Sequence, residues 1–130
     1  MLILTLRTDK PESELGLFDD NTQLSYEVWH AHRELAETLH KKIADTLQQH
    51  DKQLSDLEGL VVYKGPGSFT GLRIGMSVAN ALAYSLGVPI IAKNSDDWTK
   101  EGLAALHTGE NDTQALPEYG APVFTTAPRK

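Results

Sequence analysis

The feature that most constrains this chain is a glycine-rich turn, GPG at residues 65–67, which lies between an apolar run and a helical pattern. The run over residues 59–63 predicts a buried strand, and the pattern that ends near Leu86 predicts a helix. Glycine permits backbone angles that other residues rarely adopt, and Ser68 can accept a hydrogen bond from the first turn of that helix. The sequence therefore predicts a strand–turn–helix unit.

A unit of this kind can bind an anion, because backbone N–H groups at a helix start attract negative charge. The residues that we predict to bind an anion are Gly65, Gly67, Ser68 and Thr70. The common nucleotide fingerprints are absent, since no lysine follows the glycines as in a Walker loop and Thr70 replaces the third glycine of G-x-G-x-x-G. An alternative function is a nucleotide-dependent phosphotransferase or ATPase that uses the turn from Gly65 to Gly71 as a phosphate cradle.

The predicted helix carries a small residue at every fourth position, namely Gly71, Gly75, Ala79 and Ala83. This spacing places the four residues in one stripe along the helix. A glycine inside a helix costs about 1 kcal/mol relative to alanine, so a close approach to the backbone is expected. Two interpretations are open: the stripe packs against the chain's own sheet, or it contacts a helix of another subunit.

Alternating apolar residues predict three antiparallel strands at the start of the chain, one over residues 2–7 and two in a hairpin over residues 13–29. An apolar residue at every fourth position then predicts an amphipathic helix over residues 31–50. Ala36 and Ala44 are expected to widen the apolar face of this helix.

Two further strands are predicted over residues 57–63 and 88–92, followed by a short helix over residues 98–107. Strands that are joined through a helix run parallel, so the order β-β-β-α-β-α-β describes a mixed five-stranded sheet. The fold class is α/β. We predict one domain over residues 1–107 and an irregular C-terminal tail over residues 108–130, which is rich in proline and glycine.

Composition argues against several functional classes. The chain has no cysteine, which excludes disulfides and thiolate catalysis, and its net charge of −6 argues against direct binding of nucleic acid. We expect a cytoplasmic protein, because no apolar run is long enough to cross a membrane and the start lacks signal-peptide features. We predict no metal site, since His30 and His32 diverge on a helix, and no catalytic residue, since Ser68 lacks a G-x-S-x-G context.

Eleven consecutive residues, GPGSFTGLRIG at 65–75, resemble the signature of the bacterial TsaB (YeaZ) family. Residues 57–63, 79–86 and 88–91 resemble the strand, helix and strand that flank this signature, and residues 32–34 resemble the start of the family's first helix more loosely. The family belongs to the actin/Hsp70-like ATPase superfamily, whose members have two ASKHA, RNase H-like halves. The resemblance implies a short single-domain form that corresponds to one half.

The resemblance implies a non-catalytic partner subunit and not an enzyme. TsaB-like proteins pair with a TsaD-like enzyme that transfers threonylcarbamoyl to the adenosine beside the anticodon of tRNA, and a TsaE-like ATPase joins them. The resemblance also implies a homodimer when the partner is absent, and contact with tRNA only through the enzyme. The paired surface is a bundle of helices, onto which we map Leu35, Leu39, Gly71, Leu72, Gly75, Met76, Ala79 and Ala83.

One departure from the family pattern concerns nucleotide. Family members open with a strand that ends in Ile-Asp-Thr-Ser, whereas the corresponding residues here are Leu-Arg-Thr-Asp at 6–9. Arg7 thus replaces a carboxylate that, in the superfamily, helps to organise the nucleotide and its metal. We expect no cofactor on the isolated chain, and any ATP or ADP is expected to be shared at the partner interface. The older assignment of relatives as peptidases would need a nucleophile or metal that the sequence does not offer.

Overall fold

The computed structural model describes residues 1–31 and 34–118. Its elements follow the predicted order β-β-β-α-β-α-β and end with the predicted short helix. In chain order they are β1 (Leu2–Arg7), β2 (Glu12–Asp19), β3 (Thr22–His30), α1 (Leu35–Gln49), β4 (Gly59–Tyr63), α2 (Phe69–Leu86), β5 (Ile90–Lys93) and α3 (Trp98–His107). A 3₁₀ turn, Leu54–Asp56, precedes β4. His32, which belongs to the looser family resemblance, lies outside the described residues.

The five strands form one mixed sheet with the order β3-β2-β1-β4-β5. The pairs β1–β2 and β2–β3 are antiparallel, whereas β1–β4 and β4–β5 are parallel, which confirms the prediction. The central strand β1 is buried on both faces, with Ile3 on one side and Leu4 on the other. Because β1 is the central strand, its C-terminal end lies midway across the sheet. Helix α2 begins beside this end.

Helices α1 and α2 cover one face of the sheet. The apolar residues at every fourth position of α1 are buried as predicted: Leu35, Leu39, Ile43 and Leu47. The prediction that Ala36 and Ala44 widen this face is wrong, because both are exposed. Each follows a buried residue by one position, which turns it by about 100° around the helix.

No helix in the described part of the chain is both long and apolar enough to cross a bilayer.

Helix α3 covers the other face, over β4 and β5. Trp98, Leu103 and Leu106 pack there with Val61 and Ile91. Between α3 and the β2–β3 hairpin, this face carries a cleft of about 690 Å³. The second helical layer therefore covers the sheet only in part.

Residues 108–118 form neither helix nor strand, but they are bound to the domain. The side-chain amide of Asn80 donates to the Ala115 carbonyl at 2.9 Å and accepts from the Ala115 N–H at 2.8 Å. The Glu118 N–H donates to the carbonyl oxygen of Lys64 at 2.6 Å. This part of the predicted tail thus packs against the domain, whereas residues 119–130 lie outside the described residues.

Candidate functional site at the start of helix α2

The start of α2 is hydrogen-bonded to the residues that follow β1. The Ser68 hydroxyl accepts from the Gly71 N–H at 3.4 Å, which confirms Ser68 as the predicted cap. The Ser68 N–H donates to the carbonyl oxygen of Asp9 at 2.8 Å, and the Thr8 hydroxyl donates to the carbonyl oxygen of Gly71 at 2.8 Å. The glycine-rich turn and the end of β1 therefore form one unit.

The two glycines of the turn are required by close contacts within the chain. A Cβ atom on Gly65 would lie 2.1 Å from the carbonyl oxygen of Glu118, and one on Gly67 would lie 2.4 Å from the Cβ of Asp9. Gly65 also has a φ of 108°, which favours glycine. These contacts explain the two glycines by packing within the chain. That they bind an anion together with Ser68 and Thr70 stays a prediction.

The stripe of small residues faces the chain's own sheet. A Cβ atom on Gly71 would lie 2.1 Å from the carbonyl oxygen of Thr8, and one on Gly75 would lie 2.1 Å from the Thr8 hydroxyl oxygen. Ala79 and Ala83 are buried in the core between the helices and the sheet. Of the two interpretations of the stripe, the structure supports packing against the sheet. Helix α2 crosses the end of β1 so closely that only small residues fit.

The remaining residues that the sequence mapped onto a partner bundle are also buried inside the chain: Leu35, Leu39, Leu72 and Met76. This mapping has to be corrected together with that of the stripe, since these side chains fill the chain's own core. Regular spacing shows which residues share a helix face. It does not show whether that face meets the same chain or another one.

The outer surface between α1 and α2 carries a groove of about 350 Å³. Phe69 is 54% exposed at one end of it, and the guanidinium carbon of Arg73 lies 5.2 Å from the centroid of the Phe69 ring. The groove is lined by Ala36, Phe69, Thr70, Arg73, Ile74, Ser77 and Val78. Sequence analysis missed this surface. The available signal was the four-residue spacing of Phe69, Arg73 and Ser77, which places them on one side of α2.

Arg7, which replaces the expected carboxylate, is paired with a carboxylate two residues later. Its Nε lies 2.7 Å and its Nη2 3.2 Å from the two carboxylate oxygens of Asp9, and its guanidinium group lies 3.9 Å from the centroid of the Tyr63 ring. Partial burial lowers the pKa of Arg7, but the hydrogen bond and the charge of Asp9 outweigh it, so the pKa is raised. The Asp9 carboxylate, only 8% exposed, is thus neutralised by the arginine.

A cavity of about 300 Å³ lies beside the first turn of α2. It is lined by Thr8, Lys10, Pro11, Ser13, Ala31, Leu35, Ser68, Thr70, Gly71 and Ile74. The cavity brings Ser68 and Thr70, two of the predicted anion-binding residues, together with Lys10 and Ser13. The sequence offered no motif that marks Lys10 or Ser13, because the β1–β2 turn and β2 reach this cavity only in the folded chain.

Comparisons with known proteins agree with this fold and with the signature at residues 65–75. Residues 29–110, more than half of the chain, match the family model "TsaD: tRNA N6-adenosine threonylcarbamoyltransferase". The tRNA threonylcarbamoyladenosine biosynthesis protein TsaB of Bacillus subtilis is 33% identical over 73% of this chain and 42% of its own length. The chain belongs to the TsaB (YeaZ) family. Its match to the TsaD model shows that the TsaB and TsaD domains are related.

Solved structures of relatives support the same assignment. YeaZ from Pseudomonas aeruginosa superposes with a TM-score of 0.62 and 29% identity, over 72% of this chain and 45% of that one. RuvC from Thermus thermophilus superposes with a TM-score of 0.53 at 16% identity, over 95% of this chain and 84% of that one, which shows the fold alone. The fold is the predicted ASKHA, RNase H-like half-domain. The chain spans less than half of the length of the TsaB and YeaZ relatives.

Proposed function

We propose that this TsaB-family chain is a non-catalytic subunit that binds a TsaD-like transferase and supports threonylcarbamoyladenosine modification of tRNA next to the anticodon. The name of the Bacillus relative, a tRNA threonylcarbamoyladenosine biosynthesis protein, supports the modification. The match to the TsaD model supports the choice of partner, because two related domains carry equivalent helices that can pair as a bundle.

The observation that carries this proposal is the groove on the outer surface of α1 and α2. An exposed aromatic ring beside apolar side chains is typical of a surface that another protein covers. Phe69 and Val78 supply the apolar surface, and Arg73 adds a cation at the rim. Helices of the TsaD-like domain dock into this groove, so the partner contacts the exposed side of α2 and not its buried small-residue stripe. In the absence of the transferase a second copy of the chain uses the same groove, and a TsaE-like ATPase joins the assembly.

The test is the binding of the TsaD-like protein from the same genome, measured by calorimetry. Phe69→Ser should weaken binding at least tenfold, as expected for an exposed aromatic residue that a partner buries. The matched control is Val28→Ser on β3, because Val28 is equally exposed, at 56% against 54%, and lies on the other face of the sheet. Equal affinities of the two variants for the transferase would refute the groove as the docking surface.

A second expectation concerns catalysis and RNA. Since Arg7 neutralises the Asp9 carboxylate, the isolated chain should hydrolyse no ATP, and any ATP or ADP should bind at the shared interface. Because acidic side chains outnumber basic ones by 18 to 12, the isolated chain should not shift tRNA in a gel at physiological salt. Turnover of ATP with magnesium would contradict the non-catalytic role, and a tRNA shift at submicromolar protein would contradict contact with tRNA only through the transferase.

A further inference from the structure

The cleft of about 690 Å³ between α3 and the β2–β3 hairpin runs along the full length of α3. Its helical wall extends from Asp96, just before the helix, to His107, the last residue of the helix. The hairpin forms the opposite wall with Phe18, Asn21 and Gln23. Because α3 has 10 residues, it spans about 15 Å. The cleft is therefore long enough to hold several residues of an extended chain.

The lining of the cleft combines apolar surface with negative charge. Phe18 and Leu103 contribute apolar side chains from opposite walls. Asp96 and Asp97 line the end at which α3 begins, and their two carboxylates outnumber Lys100, the lysine of the lining. The cleft thus suits a segment that carries both apolar and basic residues.

The described part of the chain ends beside the acidic end of this cleft. The side-chain amide of Asn94 donates to the carboxylate of Glu118 at 2.8 Å. Asn94 precedes Asp96, the first residue of the cleft wall, by two positions. Residues 119–130 therefore follow from a point next to the cleft.

The composition of residues 119–130 complements the cleft. Their sequence, YGAPVFTTAPRK, includes the apolar Val123 and Phe124, ends in Arg129 and Lys130, and has no acidic residue. An extended chain advances about 3.3 Å per residue, so Phe124 can lie up to about 20 Å from Glu118. This reach exceeds the length of α3, and Phe124 can therefore contact the apolar part of the cleft.

We propose that residues 119–130 dock in this cleft of the same chain, with Phe124 against its apolar walls. The basic end of the segment then lies near the β2–β3 turn, where the carboxylates of Asp19 and Asp20 are 64% and 62% exposed. Burial of apolar side chains favours docking, and the attachment beside the cleft gives the segment a high effective concentration. The cleft lies on the other face of the sheet from the groove between α1 and α2, so the proposal does not depend on the partner role.

The test uses one spin label on the full chain, which has no native cysteine that would also react. A nitroxide on Thr126→Cys should broaden the amide NMR signals of Asn21, Gln23 and Ala104, so that they lose most of their intensity. A nitroxide on Lys41→Cys is the matched control, because Lys41 is 76% exposed on the outer side of α1, across the sheet. It should leave these three signals sharp. The absence of broadening in the cleft with the Thr126→Cys label would overturn the proposal.

A mixing experiment distinguishes docking within one chain from docking between two copies. Chains that carry the nitroxide but no NMR isotope are mixed with isotope-labelled chains that carry no nitroxide. The cleft signals of the isotope-labelled chains should keep their full intensity. Loss of these signals would show that a second copy supplies the segment, which contradicts docking within the chain.

Two variants of the spin-labelled chain test the contact from its two sides. Phe124→Ser removes the apolar anchor, and Ala104→Arg places a bulky cation in the cleft, so each should restore the signal intensity of Asn21. Ala104 is exposed and arginine is a good helix former, so the fold should be unchanged. Ala81→Arg on the exposed side of α2 is the matched control and should keep the broadening. Broadening that survives either Phe124→Ser or Ala104→Arg would refute the proposed contact.

Discussion

The two helical layers approach the sheet in the same way but are held to it differently. On one side Gly75 of α2 lies against Thr8, and on the other Gly102 of α3 lies against Val61. A Cβ atom on either glycine would come within 2.1 Å of its neighbour. The contact around Gly75 belongs to a continuous core. It is stabilised by the hydrogen bond that the Thr8 hydroxyl donates to the carbonyl oxygen of Gly71. The α3 layer instead ends at a surface cleft.

At the end of that cleft, charge replaces apolar packing. Nε2 of His107, the last residue of α3, lies 3.2 Å from the Asp20 carboxylate in the β2–β3 turn. The amino group of Met1 lies 2.8 Å from the same carboxylate. A buried glycine therefore marks close packing in both layers, whereas the contacts around it differ in how deeply they are buried. Three predictions test this comparison.

The largest effect is expected at the inner face of α2. Gly75→Leu places a side chain where Thr8 already lies, so the free energy of unfolding should fall by about 3 kcal/mol or more. Ser77→Leu is the matched control, because Ser77 is exposed on the outer side of the same helix and should change stability by about 0.5 kcal/mol or less. Urea unfolding measures both. Equal stabilities of the two variants would contradict the packing of the stripe against the sheet.

An intermediate effect is expected from the hydrogen bond that ties α2 to β1. Thr8→Val keeps the shape of the side chain but removes the bond to the Gly71 carbonyl, which should cost about 1 kcal/mol. Thr108→Val at the end of α3 removes a bond of similar length, 2.9 Å, to the carbonyl oxygen of Ala105. Because Thr108 is exposed and water can replace that bond, the same unfolding assay should show a smaller loss. A larger loss for Thr108→Val would reverse the comparison of the two layers.

The smallest effect is a pH dependence of the α3 layer. The hydrogen bond to the Leu103 carbonyl, followed by that to Asp20, raises the pKa of His107 above its ordinary value in the folded chain. Protonated His107 therefore favours folding. This contribution is fully present below the ordinary histidine pKa of about 6.5 and is lost as pH rises through the raised value.

Thermal melts between about pH 6 and pH 8 measure this dependence. His107→Gln should flatten the profile slightly, because His107 is a surface group whose ion pair is weak. His40→Gln on the exposed side of α1 is the control and should leave the profile as in the wild type. A profile that keeps its slope in His107→Gln would show that Asp20 and His107 do not couple α3 to the hairpin.

Much of the fold was predictable because it depends on local patterns. Alternating apolar residues predicted β1 and the hairpin, four-residue spacing predicted α1, and Ser68 marked the start of α2. The N-terminal boundary of α1 was placed too early, at residue 31, whereas the helix begins at Leu35. The eleven-residue signature at 65–75 identified the family without any tertiary information.

The order of the elements, the mixed sheet and the family were predictable, because they follow from residues close together in the chain. The contacts of each face became known only from the folded chain. It placed the small-residue stripe of α2 on Thr8, paired Arg7 with Asp9 and brought Ser13 beside the start of α2. Periodicity indicates which side chains share a face, but the neighbour of that face belongs to a distant segment, and its approach leaves no local pattern in the sequence.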